Sequence, residues 1–548
     1  MVVIIRNIKA YLERGSFARA VVIDGERILA AGTEAEIKAL VSPGPGVLVI
    51  DGRGGLLLPA FHDSHLHLWH FGCTIHEMDV HGVNSIDDLV DKGKKALERI
   101  APAPGTVVHG TGWNQEEFSG GGEKRYPNRF DLDRISVEHP IILERVCGHT
   151  TSCNTRALEM AGMSAGDAGE TELDGDGKPL GIFHERAAEK LRRILPAFDD
   201  VRVRAQLEYG MKKALSLGLG SVDCNDVFND NFAQISGIYR EILEEDRIRL
   251  RIGLQCYITK ESILDMLVRR NHVTGAELGH PLLRFGACKL FADGSLGSRT
   301  AYLSSPYTDD ASVRGLRAME AEAMAAAVKR LDALGFQVII HAIGDAAADQ
   351  VLRSFEALSP EPPSGRAGVP NPRRHGMVHC EVMTRDLLER MARRDILALV
   401  QPAFLTHDTA IAENRLGRER ARLCLPLGTM ARMGIRTAYG TDCPVESLNP
   451  LECIENAVLR QGQKGEEFFP EERVDAYTAV DAYTAGSAYA AFAEDRLGRI
   501  RPGYLADLTL LDRDIFSTEP RGIGKAQVLF TMVGGRIAYG APGGFVEV

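Results

Sequence analysis

Apolar and polar positions alternate along this chain in two rhythms, one at its ends and another through its middle. At residues 2–5, 20–23, 27–31 and 47–50 short apolar runs are separated by turn pairs such as Asp24-Gly25 and Asp51-Gly52, the pattern of a small β module. The pattern returns at 503–512, 528–533 and 534–539. Residues 1–55 and 498–548 are therefore expected to fold together into one β-sandwich. In between, eight strand-like runs fall at 56–67, 220–224, 251–257, 287–293, 337–341, 376–380, 398–402 and 436–442. Helical patterns fill most of the gaps. In one of them Met324, Val328 and Leu331 occupy i, i+4 and i+7 ahead of Gly335, a residue suited to ending a helix. Strands that alternate with helices imply a parallel sheet, and eight such units imply a closed (β/α)8 TIM-like barrel over 56–497. The first strand is followed by a long insertion, about 72–200. An open doubly wound sheet would carry G-x-G-x-x-G after a strand, and no such motif follows a strand in the right place.

The ends of these strands are where a barrel places its chemistry. The first closes on Asp63, His65 and His67, alternate positions that a strand turns to one face. Taken alone the His-x-His pair says little, since 16 histidines in 548 residues give about 0.5 such pairs by chance. Later strand ends add Lys289, His341, His379 and Asp442. Each has an ordinary reading by itself: a satisfied core histidine, a buried ion pair, a turn-forming aspartate. Gathered at one barrel mouth, six such residues would be costly unless paired or bound to metal. Imidazoles and a carboxylate suit zinc or a related divalent ion. Lys289, flanked by Leu290 and Phe291, would have its pKa lowered by desolvation, freeing a neutral amine that can capture carbon dioxide. The resulting carbamate would bridge two metals.

Composition narrows the partners. The net charge of −11, without a long Lys/Arg run, lacks the electrostatic footprint of nucleic-acid binding, and a small-molecule substrate is expected. No apolar run approaches the ~18 residues of a membrane span. Residues 1–7 enter a strand directly, without the charged leader and small-residue cleavage site of a signal peptide. The ten cysteines form no C-x-x-C pair, so reduced thiols and a cytoplasmic location are expected. The sequence admits a homodimer.

The segments 59–67, Lys289-Leu290-Phe291-Ala292-Asp293-Gly294-Ser295-Leu296-Gly297-Ser298-Arg299-Thr300-Ala301, His341-Ala342-Ile343-Gly344-Asp345 and Gly440-Thr441-Asp442-Cys443-Pro444 resemble the YtcJ-like branch (family 3) of the metal-dependent amidohydrolase superfamily. Gly112-Trp113-Asn114-Gln115, Gly148-His149-Thr150 and the segment 181–187 match that branch inside its insertion. The resemblance covers nearly the whole chain. It implies a barrel with His65, His67, His341, His379 and Asp442 as metal ligands, and a lysine at 289 that is often carboxylated in related proteins. The chain departs from the pattern at Ala60, where glycine is usual, at His62, usually apolar, and at Gly376-Met377-Val378, which replaces Arg-x-Glu.

The expected activity is hydrolysis of a non-peptide amide-like C–N bond by metal-activated water, with one or two divalent ions, zinc foremost, and Asp442 as general base and then acid. One rival is a mononuclear deaminase of a ring or amidine C–N bond, which would show His-Ala-x-Glu where this chain has His341-Ala342-Ile343-Gly344-Asp345. The other is a non-catalytic barrel used for binding or assembly, which should have lost ligands. Candidate substrate contacts are Trp113, His149, Glu185 and Arg299, set against duller roles: core packing for Trp113, a loop brace for His149, and pairing with Asp293 or Asp309 for Arg299.

Overall fold

A computed structural model of the chain describes residues 1–41, 46–115, 118, 124–145, 150–164, 171–195, 199–228, 230–258, 260–358, 370–462, 465–540 and 546–547, without the side chains of 185–186 or 546–547. Its contacts divide the chain into two units, Met1–Leu68 with Gly210–Val548, and Trp69–Tyr209.

Eight parallel strands form the barrel of the first unit. In chain order they are Phe61–Leu66, Leu219–Phe228, Arg251–Tyr257, Leu283–Phe291, Val338–Ala342, Gly376–His379, Leu397–Val400 and Thr437–Tyr439, each paired with the next. The first and last strands meet through bonds just past their ends. Asp442 N donates to His65 O at 2.9 Å and His67 N to Cys443 O at 2.7 Å. Asp63 ties the seam by accepting from Thr441 N and, at 2.8 Å, from Thr441 Oγ1. Gly440 allows this approach, since a Cβ there would lie 2.7 Å from His65 N. The expected barrel is thus the observed architecture. The helix Ala321–Ala333 buries Met324, Val328 and Leu331, the stripe its sequence spacing predicts.

Alternation along each strand sets what lies beneath the strand-end residues. Ala287, Ile339 and Leu399 precede Lys289, His341 and Gln401 by two residues and share one apolar cluster with Val378 and Ala438. Beneath strands one to four a polar group takes that place. Asp223 is bonded to His62 Nε2 at 3.0 Å and to Arg284 Nη2 at 2.5 Å. Arg284 reaches Asp223 across Gly253, which pairs in register with both.

The stretch 56–67, read from sequence as a single strand, divides at Ala60. Leu56–Pro59 belongs to a different sheet, where it lies between Val2–Glu13 and Leu508–Leu511. This nine-stranded sheet draws its strands from both chain ends. One core cluster unites Val3, Ile5, Val21 and Ile23 with Leu508, Leu510, Phe530 and Met532. The division follows from pairing: Leu56 and Leu57 face partners at both edges, whereas Phe61 pairs with Leu219 instead.

The second unit holds a six-stranded mixed sheet in the order Thr171–Leu173, Pro179–His184, Thr150–Cys153, Ile141–Arg145, Val108–Trp113, Glu77–Asp79. Among the described residues, no helix is long and apolar enough to cross a membrane. The nine described cysteines are all buried and free.

Candidate metal centre

The backbone leaves ordinary strand geometry where the polar residues begin. His379, Cys380 and Asp442 have φ of +79°, +50° and +56°. Such left-handed positions cost energy outside glycine, and they cluster at working sites. Here they swing side chains from strands six and eight toward those of strand one. Ligand atoms of His65, His67 and Asp442 lie within 4.8 Å of one another. Asp442 Oδ1 is 3.2 Å from His67 Nε2 and 3.5 Å from His65 Nε2. Ring centroids of His341 and His379 are 4.4 Å apart, and those of His65 and His379 are 6.0 Å apart.

What each imidazole does with its ring proton decides what it can offer. His67 Nδ1 lies 2.9 Å from Asn225 O, and His341 Nε2 lies 3.0 Å from Gly294 O. Carbonyl oxygens only accept, so these nitrogens donate. His65 Nδ1 faces Gln255 Oε1 at 2.5 Å and His379 Nδ1 faces Gln401 Oε1 at 2.9 Å. Both amides are oriented by their own nitrogen, which donates to Ser64 O and to Leu399 O respectively. The four rings therefore keep one lone pair each, on Nε2 of His65, His67 and His379 and on Nδ1 of His341.

Electrostatics agree with neutral rings for three of them. Burial, and after it the Lys289 charge, holds His65 well below the usual range and takes His341 down to about 3. Burial, then His341 and Lys289, does the same for His379. His67 goes the other way: burial pushes it down, but the adjoining Asp442 carboxylate more than restores it. Asp442 Oδ1 is buried and makes no hydrogen bond among the described residues. A lone pair on His67 Nε2 facing a carboxylate oxygen is relieved only by a shared proton or a cation. Four imidazole lone pairs beside that oxygen fit a divalent cation.

Lys289 is 1% exposed, and its ammonium lies over the Phe291 ring at 3.9 Å from the centroid. Burial lowers its pKa to about 7, against the pull of Asp442. Asp63, on the same alternation as His65 and His67, ties the barrel seam rather than facing the cluster. Burial raises its carboxyl to about 7.

Two of the four substrate-contact candidates, Trp113 and Arg299, have described side chains. Trp113 is fully buried in the core of the second unit, with Nε1 donating to Leu143 O at 3.1 Å. Its burial is that of a packing residue. Arg299 pairs with Asp309 at 2.8 Å, not with Asp293. Glu185 opens the helix Glu185–Arg192, its side chain outside the described residues, and His149 lies outside them altogether. Gln255 and Gln401, which orient two of the histidines, went unread in the sequence. Each is a lone amide in an apolar strand run, the signal that could have marked it.

A parallel barrel whose strand ends carry four clustered imidazoles, a carboxylate and a buried lysine defines the class of barrel enzymes built to hold a catalytic cation. The profile of the Amidohydrolase family matches residues 48–539, so this chain belongs to that family, and it is a hydrolytic enzyme for C–N bonds other than peptide bonds. The provisionally named amidohydrolase YtcJ of Bacillus subtilis is 30% identical over 536 residues, 96% of this chain and 97% of that one. The N-substituted formamide deformylase of Arthrobacter pascens is 26% identical, with 98% of each chain covered. The crystal structure of a metal-dependent hydrolase from Pyrococcus furiosus superposes with a TM-score of 0.74 at 30% identity, covering 94% of this chain and 100% of that one.

Proposed function

We propose that this protein is a metal-dependent amidohydrolase that cleaves an amide-like C–N bond of a small molecule, with His65, His67, His341, His379, Asp442 and Lys289 holding one or two divalent ions. The observation that carries this reading is that each of the four rings commits one ring proton to a protein acceptor beside a buried carboxylate oxygen, Asp442 Oδ1, 3.2 Å from His67 Nε2 and 3.5 Å from His65 Nε2. A bound divalent ion, zinc suiting the nitrogen-rich set best, would make water nucleophilic near neutral pH and polarise the substrate carbonyl.

The rest falls to the chain. Asp442 takes the proton from the attacking water at Oδ1 and returns it to the leaving nitrogen, acting first as base and then as acid. Gln255, Gln401 and the carbonyls of Asn225 and Gly294 each accept a hydrogen bond from one imidazole and keep the four rings correctly turned. Lys289, with its pKa near neutrality, attacks carbon dioxide as a free amine: the N–C bond forms, an electron pair moves onto oxygen, and the nitrogen loses a proton to solvent. The carbamate so formed would give position 289 an anionic oxygen donor for the proposed ions.

The full-length similarity to a protein named N-substituted formamide deformylase supports beginning a substrate screen with N-substituted formamides, followed by N-acyl amino acids and hydantoins. Asp442→Asn should lose about 10²-fold or more in turnover while metal content is retained. Full activity in that variant would eliminate the role.

A further inference from the structure

Three aromatic residues end consecutive barrel strands. Phe228, Tyr257 and Phe291 are the last residues of the second, third and fourth strands. Phe228 and Tyr257 are partners in register, with ring centroids 6.3 Å apart. Tyr257 and Phe291 follow edge to face at 5.5 Å. Phe291 then meets the His341 ring at 5.6 Å and carries the Lys289 ammonium 3.9 Å above its centroid. A continuous line of rings thus runs along the rim of the barrel and stops at the proposed metal ligands.

These rings are not core. Phe228 is 36% exposed, and Tyr257 and Phe291 are half-buried. Adjacent large apolar side chains left partly in water beside a cluster of polar groups are the arrangement expected of a ligand-binding surface. Their spacing is that of aromatic pairs, so one more ring can extend the row in the same offset or edge-on geometry.

We propose that Phe228, Tyr257 and Phe291 form the substrate subsite for an aromatic substituent carried close to the scissile bond, an inference that rests on the C–N hydrolase reading for the nature of that bond. Phe291, in contact with Lys289 and His341, sets how close: the substituent sits next to the reacting carbonyl, and Tyr257 and Phe228 hold its outer face.

The test separates binding from turnover. Binding of N-benzylacetamide and N-methylacetamide to the metal-replete full-length protein is measured by saturation-transfer NMR. The benzyl compound is expected to bind roughly tenfold or more tightly. Tyr257→Ala and Phe228→Ala should each remove most of that advantage, and Tyr257→Phe, which keeps the ring, should retain it. Circular dichroism and metal content establish that each variant is folded and loaded. Equal binding of the two amides by the unsubstituted protein would overturn the subsite. So would unreduced benzyl binding in both alanine variants. In turnover, kcat/KM for benzyl amides should fall about tenfold further than for methyl amides, through KM. Failure to hydrolyse any amide would count against the C–N hydrolase reading, while the binding comparison alone would still decide the subsite.

Discussion

Four histidines packed at one barrel mouth need four separate acceptors for their ring protons, and the chain supplies two glutamine side chains and two backbone carbonyls. Replacing Gln255 with leucine removes the acceptor at His65 Nδ1 and lets that ring turn or change tautomer. Metal affinity should fall about 10–100-fold, measured by chelator competition on the purified protein, whereas Gln255→Glu, which still accepts, should stay near the parent. Equal affinity in Gln255→Leu would mean that the histidine is fixed by packing alone. At Lys289, alanine removes both the amine and any carbamate, so the variant should bind fewer ions per chain, counted by elemental analysis. A full complement at full rate would argue against a bridging carbamate. The histidines and Asp442 that converge at the barrel mouth were legible in the sequence because titratable residues stand out at the ends of apolar runs. Gln255 and Gln401 were not, because an amide in a strand has no single chemical role until its neighbour is known. Asp63 was misleading for a related reason. Alternation along strand one places it with His65 and His67, but register irregularities beside strand two alter which face each residue meets.

At the level of strands, pairing corrects what the apolar pattern alone implied. Residues 56–66 form an almost unbroken buried run, yet the run serves two sheets with a junction at Ala60. Only the partners, Leu508–Leu511 on one side and Leu219–Phe228 on the other, reveal the break. The polar group beneath the proposed metal ligands was equally hidden, since His62, Asp223 and Arg284 come from strands far apart in sequence. Gly253 makes it feasible: a Cβ there would lie 1.8 Å from Asp223 Oδ1 and 2.8 Å from Arg284 Nη2. Asp223 is buried, also held by His62, and Arg284 is largely covered, so both ends have little room to move and Gly253→Ala should separate the pair and leave charge uncompensated. The expected cost is about 3–5 kcal/mol, seen as a lower denaturation midpoint at unchanged m-value. A midpoint within error of the parent would show that the ion pair can repack around a methyl group.

Across the whole molecule, the barrel was readable because eight strand runs alternate with helical spacing, a long-range regularity that survives errors at individual boundaries. The inserted unit was not, since its six short strands pair both parallel and antiparallel and its sequence carries no single period. That unit nevertheless contains a charge network with a clear pH signature. His109, on the strand Val108–Trp113, has Nε2 3.3 Å from Glu144 Oε1 and Nδ1 3.6 Å from Glu77 Oε1, and Arg192 Nε also reaches Glu144 at 2.7 Å. Burial disfavours the charged ring, but Glu144 and Glu77 outweigh it and lift the pKa from 6.5 to about 9. A raised pKa means the folded state holds the proton more tightly than the unfolded state. The stabilisation is therefore complete below pH 6.5 and is lost as pH rises through about 9. With the side chain 18% exposed and Arg192 competing for Glu144, the contribution should be about 1–3 kcal/mol. Hydrogen exchange in the full-length protein, corrected for the intrinsic pH dependence of exchange, can follow the strands Val108–Trp113 and Ile141–Arg145 from pH 6.5 to 9.5. Protection there should decline more steeply in the parent than in His109→Gln, which has no proton to lose. Parallel declines in the two proteins would show that the histidine is held by packing and that its charge contributes nothing to this unit.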